Sequence, residues 1–356
     1  MKHEHILVIR FSAMGDVAMT VPVVWALARQ YPDVRITVLS RPFARSLFEN
    51  LAPNVNFMAA DVKQEYHGVK GLNALYRRLV AKQFTAIADL HSVLRSNYLR
   101  LRFNLGRYKV EHIKKHRSQR RRLVASGQKK VMKPLPTPFE NYLDVFRRLG
   151  YPINQEHLCF RSIFEDRGDL SLLPQAIGQK GEGEQWIGLA PFAAHQGKTY
   201  PPELTEKVIA QLAEQHPKLR IFLFGRGPQE NSYFEKWTHQ WPQCLAVAQH
   251  TENLHQELIL ISHLSLMVSM DSSNMHLASL TGTPVVSIWG ATHPYAGFLG
   301  WHQNEHNIIQ VGNLGCRPCS IYGNKPCHRG DYACLYGIKP ETIIERINLI
   351  LTQKTN

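Results

Sequence analysis

Residues 266–290, LMVSMDSSNMHLASLTGTPVVSIWG, constrain the fold more than any other stretch of the chain. An apolar run, 266–270, stops at Asp271 and gives way to a polar loop, Ser272-Ser273-Asn274. A short segment of helical character, 275–281, follows, then the turn Gly282-Thr283-Pro284 and a β-branched run at 285–288. Strand, loop, helix, turn and strand in such close succession mark a parallel α/β unit with buried strands. The loop lies where α/β sheets bind ligands, outside the carboxyl end of a strand and against a helix N-terminus. Orphan N–H groups and the helix dipole favour an anion there, so a phosphate is the natural guest. An ordinary helix cap by Asp271 or Ser272 is the plainer alternative.

A second unit of the same kind opens the chain, in HILVIRFSAMGDVAMTVPVVWAL (5–27). Residues 6–9 read as a strand, 12–16 as a tight loop, and 17–29 as a helix with Pro22 near its first turn. Gly15 suits a sharp turn or a close backbone approach. Asp16 is either a favourable charge at the dipole's positive end or a general base projecting from the loop. Two sheet-end loops near opposite ends of the chain predict two facing α/β domains with a site between them. A third loop, in APFAAHQGKTYPPE, puts Lys198 on a glycine-bearing turn after the strand at 186–190. A lysine there is placed to neutralise a diphosphate leaving group, or is simply a solvated loop lysine.

The intervening pattern supports this reading. Strands are expected at 36–39, 55–58 and 85–90 and helices at 43–51, 71–82 and 139–149, an alternation that predicts a parallel sheet wrapped by helices. Residues 166–185 are polar and glycine-bearing and read as a linker. The second series continues with a helix at 204–215, strands at 220–224 and 245–247, a helix at 254–262 and a terminal helix at 340–351. The turn Gly225-Arg226-Gly227-Pro228 is not a dinucleotide fingerprint. The expected division is 1–165, the linker, 186–338 and a C-terminal segment 339–356.

With 356 residues the chain is long enough for two cores. It shows no secretory signal and no apolar run approaching twenty residues, so a cytoplasmic location is the default expectation. The net charge of +14 is concentrated. Residues 95–133 hold fourteen Lys or Arg and one acid, Glu111, with HIKKHRSQRRR at the centre. Such a run is a solvated face or a surface for a polyanion. Only Tyr98, Phe103 and Tyr108 interrupt it, which argues against nucleic acid and for anionic membrane or phosphorylated glycan. Near the end, Cys316, Cys319, Cys327 and Cys334 cluster, with His328 as a spare ligand. They read either as a structural zinc site or as four reduced thiols in a loop, their spacing matching no standard zinc finger.

With these residues assembled, the chain resembles the family 9 glycosyltransferases, the lipopolysaccharide heptosyltransferases and their relatives. The resemblance spreads over ILVIRFSAMGDVAMTVPV, DLHSVLRS (89–96), FENYLDVFRRLG, GLAPFAAHQGKTYPPE, FGRGPQE and MDSSNMHLASLTGTPVVSIWGATHP. It implies the GT-B architecture, two Rossmann-like domains facing across a cleft, with the terminal helix packing back on the amino-terminal domain. By the same resemblance Asp16 is the general base of an inverting transfer, and Lys198 contacts donor phosphates. Asp271, Ser272, Ser273, Asn274 and His276 form the donor loop, and Glu230 contacts the nucleoside ribose. Ser12 and Gly15 shape the loop around Asp16, and His91, Arg95, Arg120, Arg121 and Arg122 are expected on the acceptor side. The donor is expected to be a nucleotide-sugar, ADP-heptose first. The acceptor is expected to be a phosphorylated lipid A–core glycolipid at the inner face of the inner membrane, and catalysis to need no cofactor. Ser273 stands where many relatives have glycine, Ala193 and Ala194 where hydroxyl residues are common, and Tyr200 where tryptophan is common. A nucleotide-sugar epimerase of similar architecture and a non-enzymatic basic adaptor for membrane or RNA are the alternatives.

Overall fold

A computed structural model describes residues 4–353. The chain forms two compact units, one running to Lys115 and including Pro136–Ile163, the other comprising His116–Leu135 and the chain from Phe164 onward.

The first unit is built in chain order from β1 (His5–Ile9), α1 (Met14–Ala18), α2 (Val21–Gln30), β2 (Arg35–Ser40), α3 (Arg45–Phe48), β3 (Val55–Ala59), α4 (Gly68–Val80), β4 (Ala86–Asp89), α5 (Leu94–Leu105) and β5 (Lys109–His112). The second unit's short α6 (Arg117–Leu123) intervenes before α7 (Pro138–Arg148) returns to the first. All strand pairs are parallel, in the order β3-β2-β1-β4-β5, with Leu7 opposite both Thr37 and Ile87. β1 is central and buried along its whole length, which explains its unbroken apolar run. Leu7, Ile9, Leu39, Met58, Leu75, Ile87, Leu99 and Phe103 share one core. α7 begins with Thr137 Oγ1 accepting from Glu140 N at 3.2 Å while Glu140 Oε2 accepts from Thr137 N at 2.7 Å.

The second unit continues with β6 (Gln185–Ala190), α8 (Pro202–Gln215), β7 (Leu219–Leu223), α9 (Pro228–Gln240), β8 (Cys244–Ala246), α10 (Leu254–Ser262), β9 (Leu266–Met270), α11 (Ser273–Leu280), β10 (Val285–Trp289), β11 (Ile308–Gln310), α12 (Ala333–Tyr336) and α13 (Pro340–Gln353). Its parallel sheet runs β11-β10-β9-β6-β7-β8. Each sheet therefore winds outward from its first strand, then returns to add strands on the other side. The reversal falls between β1 and β4 in one unit and between β6 and β9 in the other. Loops diverge there and leave a crevice at the carboxyl ends of the strands.

Several expectations are corrected. The basic segment 95–133 is divided, since residues from His116 to Leu135 belong to the second unit. The terminal helix α13 packs on α8 and on β9 and β10, burying Ile343, Ile344, Ile347 and Leu351 in the second unit's core. Each such side chain contributes about 1.5–3 kcal/mol. The first helix starts at Met14, earlier than expected, and breaks before Val21, where Pro22 opens α2. Gly15 consequently lies in the first turn of α1 rather than in the preceding loop. Helix α9 and edge strands β5 and β11 carry too few periodic apolar residues to be legible; only Phe234 and Trp237 of α9 are buried.

Candidate active site

In the first unit the loops after β1 and β4 flank the reversal of strand order and carry the candidate base. Asp16 Oδ2 lies 2.7 Å from Arg10 Nη2 and accepts from Ala13 N at 3.2 Å. Arg10 directly follows β1, is buried, and donates through Nη1 to Leu90 O at 2.6 Å, tying the β1 and β4 loops together. Burial works against its charge, but Asp16, Tyr142 and Asp89 outweigh that and raise its pKa above the ordinary value. The Asp16 side chain is 32% exposed, so a guanidinium holds the carboxylate while solvent still reaches it.

His91 stands on the neighbouring loop, 8% exposed, with Nε2 3.5 Å from Ser12 Oγ and its ring edge-on to Phe11. Burial, then the charges of Arg10, Lys115 and Arg95, push its pKa down to about 3, with Asp16 pulling the other way. His91 is thus a neutral imidazole beside the carboxylate. The loop holding it is set by Asp89, fully buried at the end of β4. Asp89 Oδ1 accepts from His91 N at 3.0 Å and Ser92 N at 2.9 Å, and Oδ2 faces Arg100 Nη1 at 3.2 Å. Arg95 is exposed on the first turn of α5.

In the second unit the loops after β6 and β9 flank the corresponding reversal. They bring Lys198 Nζ to 3.2 Å from Asp271 Oδ2, with side-chain exposures of 16% and 6%. Ser272 caps α11 only by position, because its side chain makes no capping hydrogen bond. Its Oγ lies 3.2 Å from Ser269 Oγ instead, leaving the first N–H groups of α11 uncapped by a side chain. Ser273 and Asn274 are half-buried in that first turn, and His276 is buried one turn on. A lysine ammonium and an uncapped helix end on adjacent loops suit a diphosphate. Glu230 sits in the first turn of α9 on the loop after β7, beside β6 in the sheet, and burial raises its pKa against a backbone N–H from Arg226. Its carboxylate packs so closely on Gly225 that a Cβ there would collide with Oε2.

The cysteine segment proves to be a brace. Arg317, 6% exposed, donates to Gly290 O at 2.6 Å, Val311 O at 2.8 Å and Thr292 O at 3.0 Å. Cys319 N donates to Ala291 O at 3.1 Å, and Ala291 N to Gly197 O at 2.8 Å. Tyr332 Oη donates to Gln196 Oε1 at 3.0 Å, and Gly323, at φ +74°, lies against the aliphatic stem of Lys198. Cys316, Cys319, Cys327 and Cys334 line one cavity as free thiols, with burial, then Cys319, pushing Cys334 up to about 11. Among the described residues no group of three or more His, Cys, Asp or Glu side chains that could hold a metal ion is found.

Ser12 and His91 therefore gather near Asp16, and Arg95 stands on the first turn of α5; Arg120 belongs to the second unit. Its guanidinium donates to Tyr322 Oη at 2.6 Å and lies over the Phe298 and Tyr322 rings, all in the second unit. Arg121 and Arg122 are exposed on α6. Arg10, Gly323 and Arg317 were missed; the available signal for Arg10 was a charge terminating the apolar run ILVI.

The chain matches the family model of glycosyltransferase family 9 (heptosyltransferase) over residues 72–327. It is 25% identical over 321 residues to the lipopolysaccharide core heptosyltransferase OpsX of Haemophilus influenzae, covering 86% of this chain and 84% of that protein. It is 24% identical over 312 residues to lipopolysaccharide heptosyltransferase 3 of Escherichia coli, covering 83% and 85%. Among solved structures, a family 9 glycosyl transferase from Veillonella parvula aligns with a TM-score of 0.74 at 18% identity, covering 99% of this chain and 98% of that one. The E. coli ADP-heptose lps heptosyltransferase II aligns at 0.67 with 19% identity, covering 99% and 100%. These likenesses establish the GT-B fold, and with a family model spanning most of its length the chain belongs to glycosyltransferase family 9, the heptosyltransferases, and is a glycosyltransferase.

Proposed function

We propose that the enzyme transfers heptose from ADP-heptose to a phosphorylated lipopolysaccharide core or lipid A–type acceptor, inverting the anomeric carbon, with Asp16 as general base. The observation that carries this reading is the Asp16 carboxylate, accessible at the strand-order reversal and paired with buried Arg10. The acceptor hydroxyl gives its proton to Asp16 as its oxygen attacks the anomeric carbon. The bond from that carbon to the diphosphate breaks, and ADP leaves with the electron pair. A single displacement of this kind inverts configuration. Charge developing on the leaving group meets Lys198 and the N–H groups opening α11, preorganised donors that need no rearrangement during the step. Asp271 positions Lys198, and Ser272, Ser273, Asn274 and His276 build the rest of the donor loop. Glu230 takes the ribose hydroxyls.

On the acceptor side, Ser12 and neutral His91 offer hydrogen bonds beside Asp16, Gly15 in the first turn of α1 adds no side chain beside the sugar, and Arg95 supplies charge for acceptor phosphates. Exposed Arg121 and Arg122 add to the chain's basic surface, which suits work at the anionic inner face of the inner membrane. The cysteine segment braces the loop that carries Lys198.

The test is Asp16→Asn. General-base loss lowers kcat about 10²- to 10⁴-fold, while calorimetric affinity for ADP-heptose stays at the wild-type value and exceeds that for UDP- and GDP-sugars. Transfer by the variant at the wild-type rate would refute the role of Asp16, and preference for another nucleotide-sugar would refute the donor.

A further inference from the structure

Helix α5 has two apolar faces, and only one is used. Ser96, Leu99 and Phe103 are fully buried against the first unit's sheet. Leu94, Leu101 and Leu105 are 86%, 55% and 72% exposed. Spacings of seven and four residues align these three leucines along one helical face. At about 1.5 Å per residue the stripe is roughly 16 Å long. Its first member stands three residues after His91, so it begins at the strand ends that carry Asp16.

The charge around the stripe selects the partner. Residues 66–110 contain nine Lys and Arg and one acid, Asp89, which is fully buried and paired with Arg100. Arg95, Arg107 and Lys109 are exposed on or just beyond α5. On the adjacent helix α4, Lys70, Arg77 and Arg78 are exposed, together with Val69 at 62%. A protein partner would require a complementary groove for separated leucines amid cations. A bilayer accepts leucine side chains without shape matching and places anionic headgroups beside the arginines. Among the described residues no helix is long and apolar enough to cross a membrane, so this surface would lie on the bilayer rather than span it.

We propose that the Leu94–Leu101–Leu105 face of α5, with its basic flanks, is the surface by which the enzyme docks on an anionic lipid bilayer. The proposal rests on the reading of the acceptor as a membrane-anchored glycolipid. It adds the place where the enzyme meets the bilayer, with the strand ends bearing Asp16 beside the end of the stripe.

The experiment is vesicle co-sedimentation of the full chain, without donor or acceptor, on phosphatidylglycerol–phosphatidylcholine and on pure phosphatidylcholine vesicles. The triple variant Leu94→Ser/Leu101→Ser/Leu105→Ser is measured alongside, with circular dichroism and a thermal melt to verify folding. The wild type is expected to partition onto the anionic vesicles, and the variant to lose about a hundredfold in partitioning. Transfer to a soluble, deacylated acceptor should be retained by the variant. Equal partitioning of both proteins, absence of wild-type binding, or a dimer in sedimentation velocity that the variant abolishes without any vesicle binding would each overturn the proposal. Because lipid binding is read without substrates, its outcome is independent of whether Asp16 or ADP-heptose has been assigned correctly.

Discussion

The Lys198–Asp271 pair makes the sharpest energetic prediction. Two unit charges 3.2 Å apart attract by roughly 5 kcal/mol at an effective dielectric near 20. Desolvation of two side chains only 16% and 6% exposed offsets most of that, so the intact pair adds little net stability. Removing one member is different. Lys198→Ala leaves Asp271 as a buried, uncompensated charge, at a cost of about 3–5 kcal/mol. Asp271→Asn in the same chain removes that charge, so the double variant should be more stable than Lys198→Ala by about 2 kcal/mol, despite carrying one more substitution. Donor affinity should follow the same order. Loss of a charge-assisted contact worth about 1.5–3 kcal/mol weakens ADP binding ten- to a hundredfold or more in Lys198→Ala. The double variant recovers part of that, since no bare carboxylate then faces the phosphates. Urea denaturation and ADP calorimetry on the wild type, both single variants and the double variant complete the cycle. Additivity within about 0.5 kcal/mol in stability would show that the two side chains do not act as a pair and would refute the reasoning.

Two further predictions concern the surroundings of these residues. Gly323→Ala places a Cβ about 2.5 Å from Lys198 Cδ and puts a side chain on a left-handed backbone at φ +74°. The expected result is a loss of about 1–2 kcal/mol in stability together with a roughly tenfold weaker ADP affinity; unchanged affinity would show that the cysteine segment does not position Lys198. His91, with a pKa near 3 in the folded protein and 6.5 ordinarily, binds its proton more readily when unfolded. Its contribution is therefore complete above pH 6.5 and lost as pH falls towards 3, at about 1.4 kcal/mol per unit. Between pH 7 and pH 5 the wild type should lose about 2 kcal/mol more stability than His91→Gln. His293, depressed to about 4, adds a loss of the same sign to both proteins, so the difference between them isolates His91. Parallel pH–stability curves would contradict a buried, neutral His91.

The strands that mattered most were legible because they are buried on both faces. β1, β6, β9 and β10 carry near-continuous apolar runs, and each expected strand falls within a residue or two of its observed bounds. The segments leading to Asp16, Lys198 and Asp271 were legible because each directly follows such a run. β5 was not, since KVEH at a sheet edge buries too little to alternate. α9 was hidden by a polar sequence whose tertiary contacts come from Phe234 and Trp237 alone.

What the sequence determined by itself is the α/β class, the two series of strands and the loops on which chemistry is carried, since periodicity and loop position are local properties. The pairings belong to the tertiary structure. Lys198 meets Asp271 because β6 and β9 become neighbours when the sheet reverses, and Arg10 reaches the β4 loop because β1 and β4 do the same. The basic run looked uniform by charge, yet its residues from His116 to Leu135 belong to the second unit, where Arg120 reaches Tyr322 and Lys130 donates to the Gly315 and Arg317 carbonyls. The leucines of α5 divide between core and solvent for the same reason. A helix with apolar residues around its circumference can bury either face, and only the sheet beneath it decides which leucines remain outside.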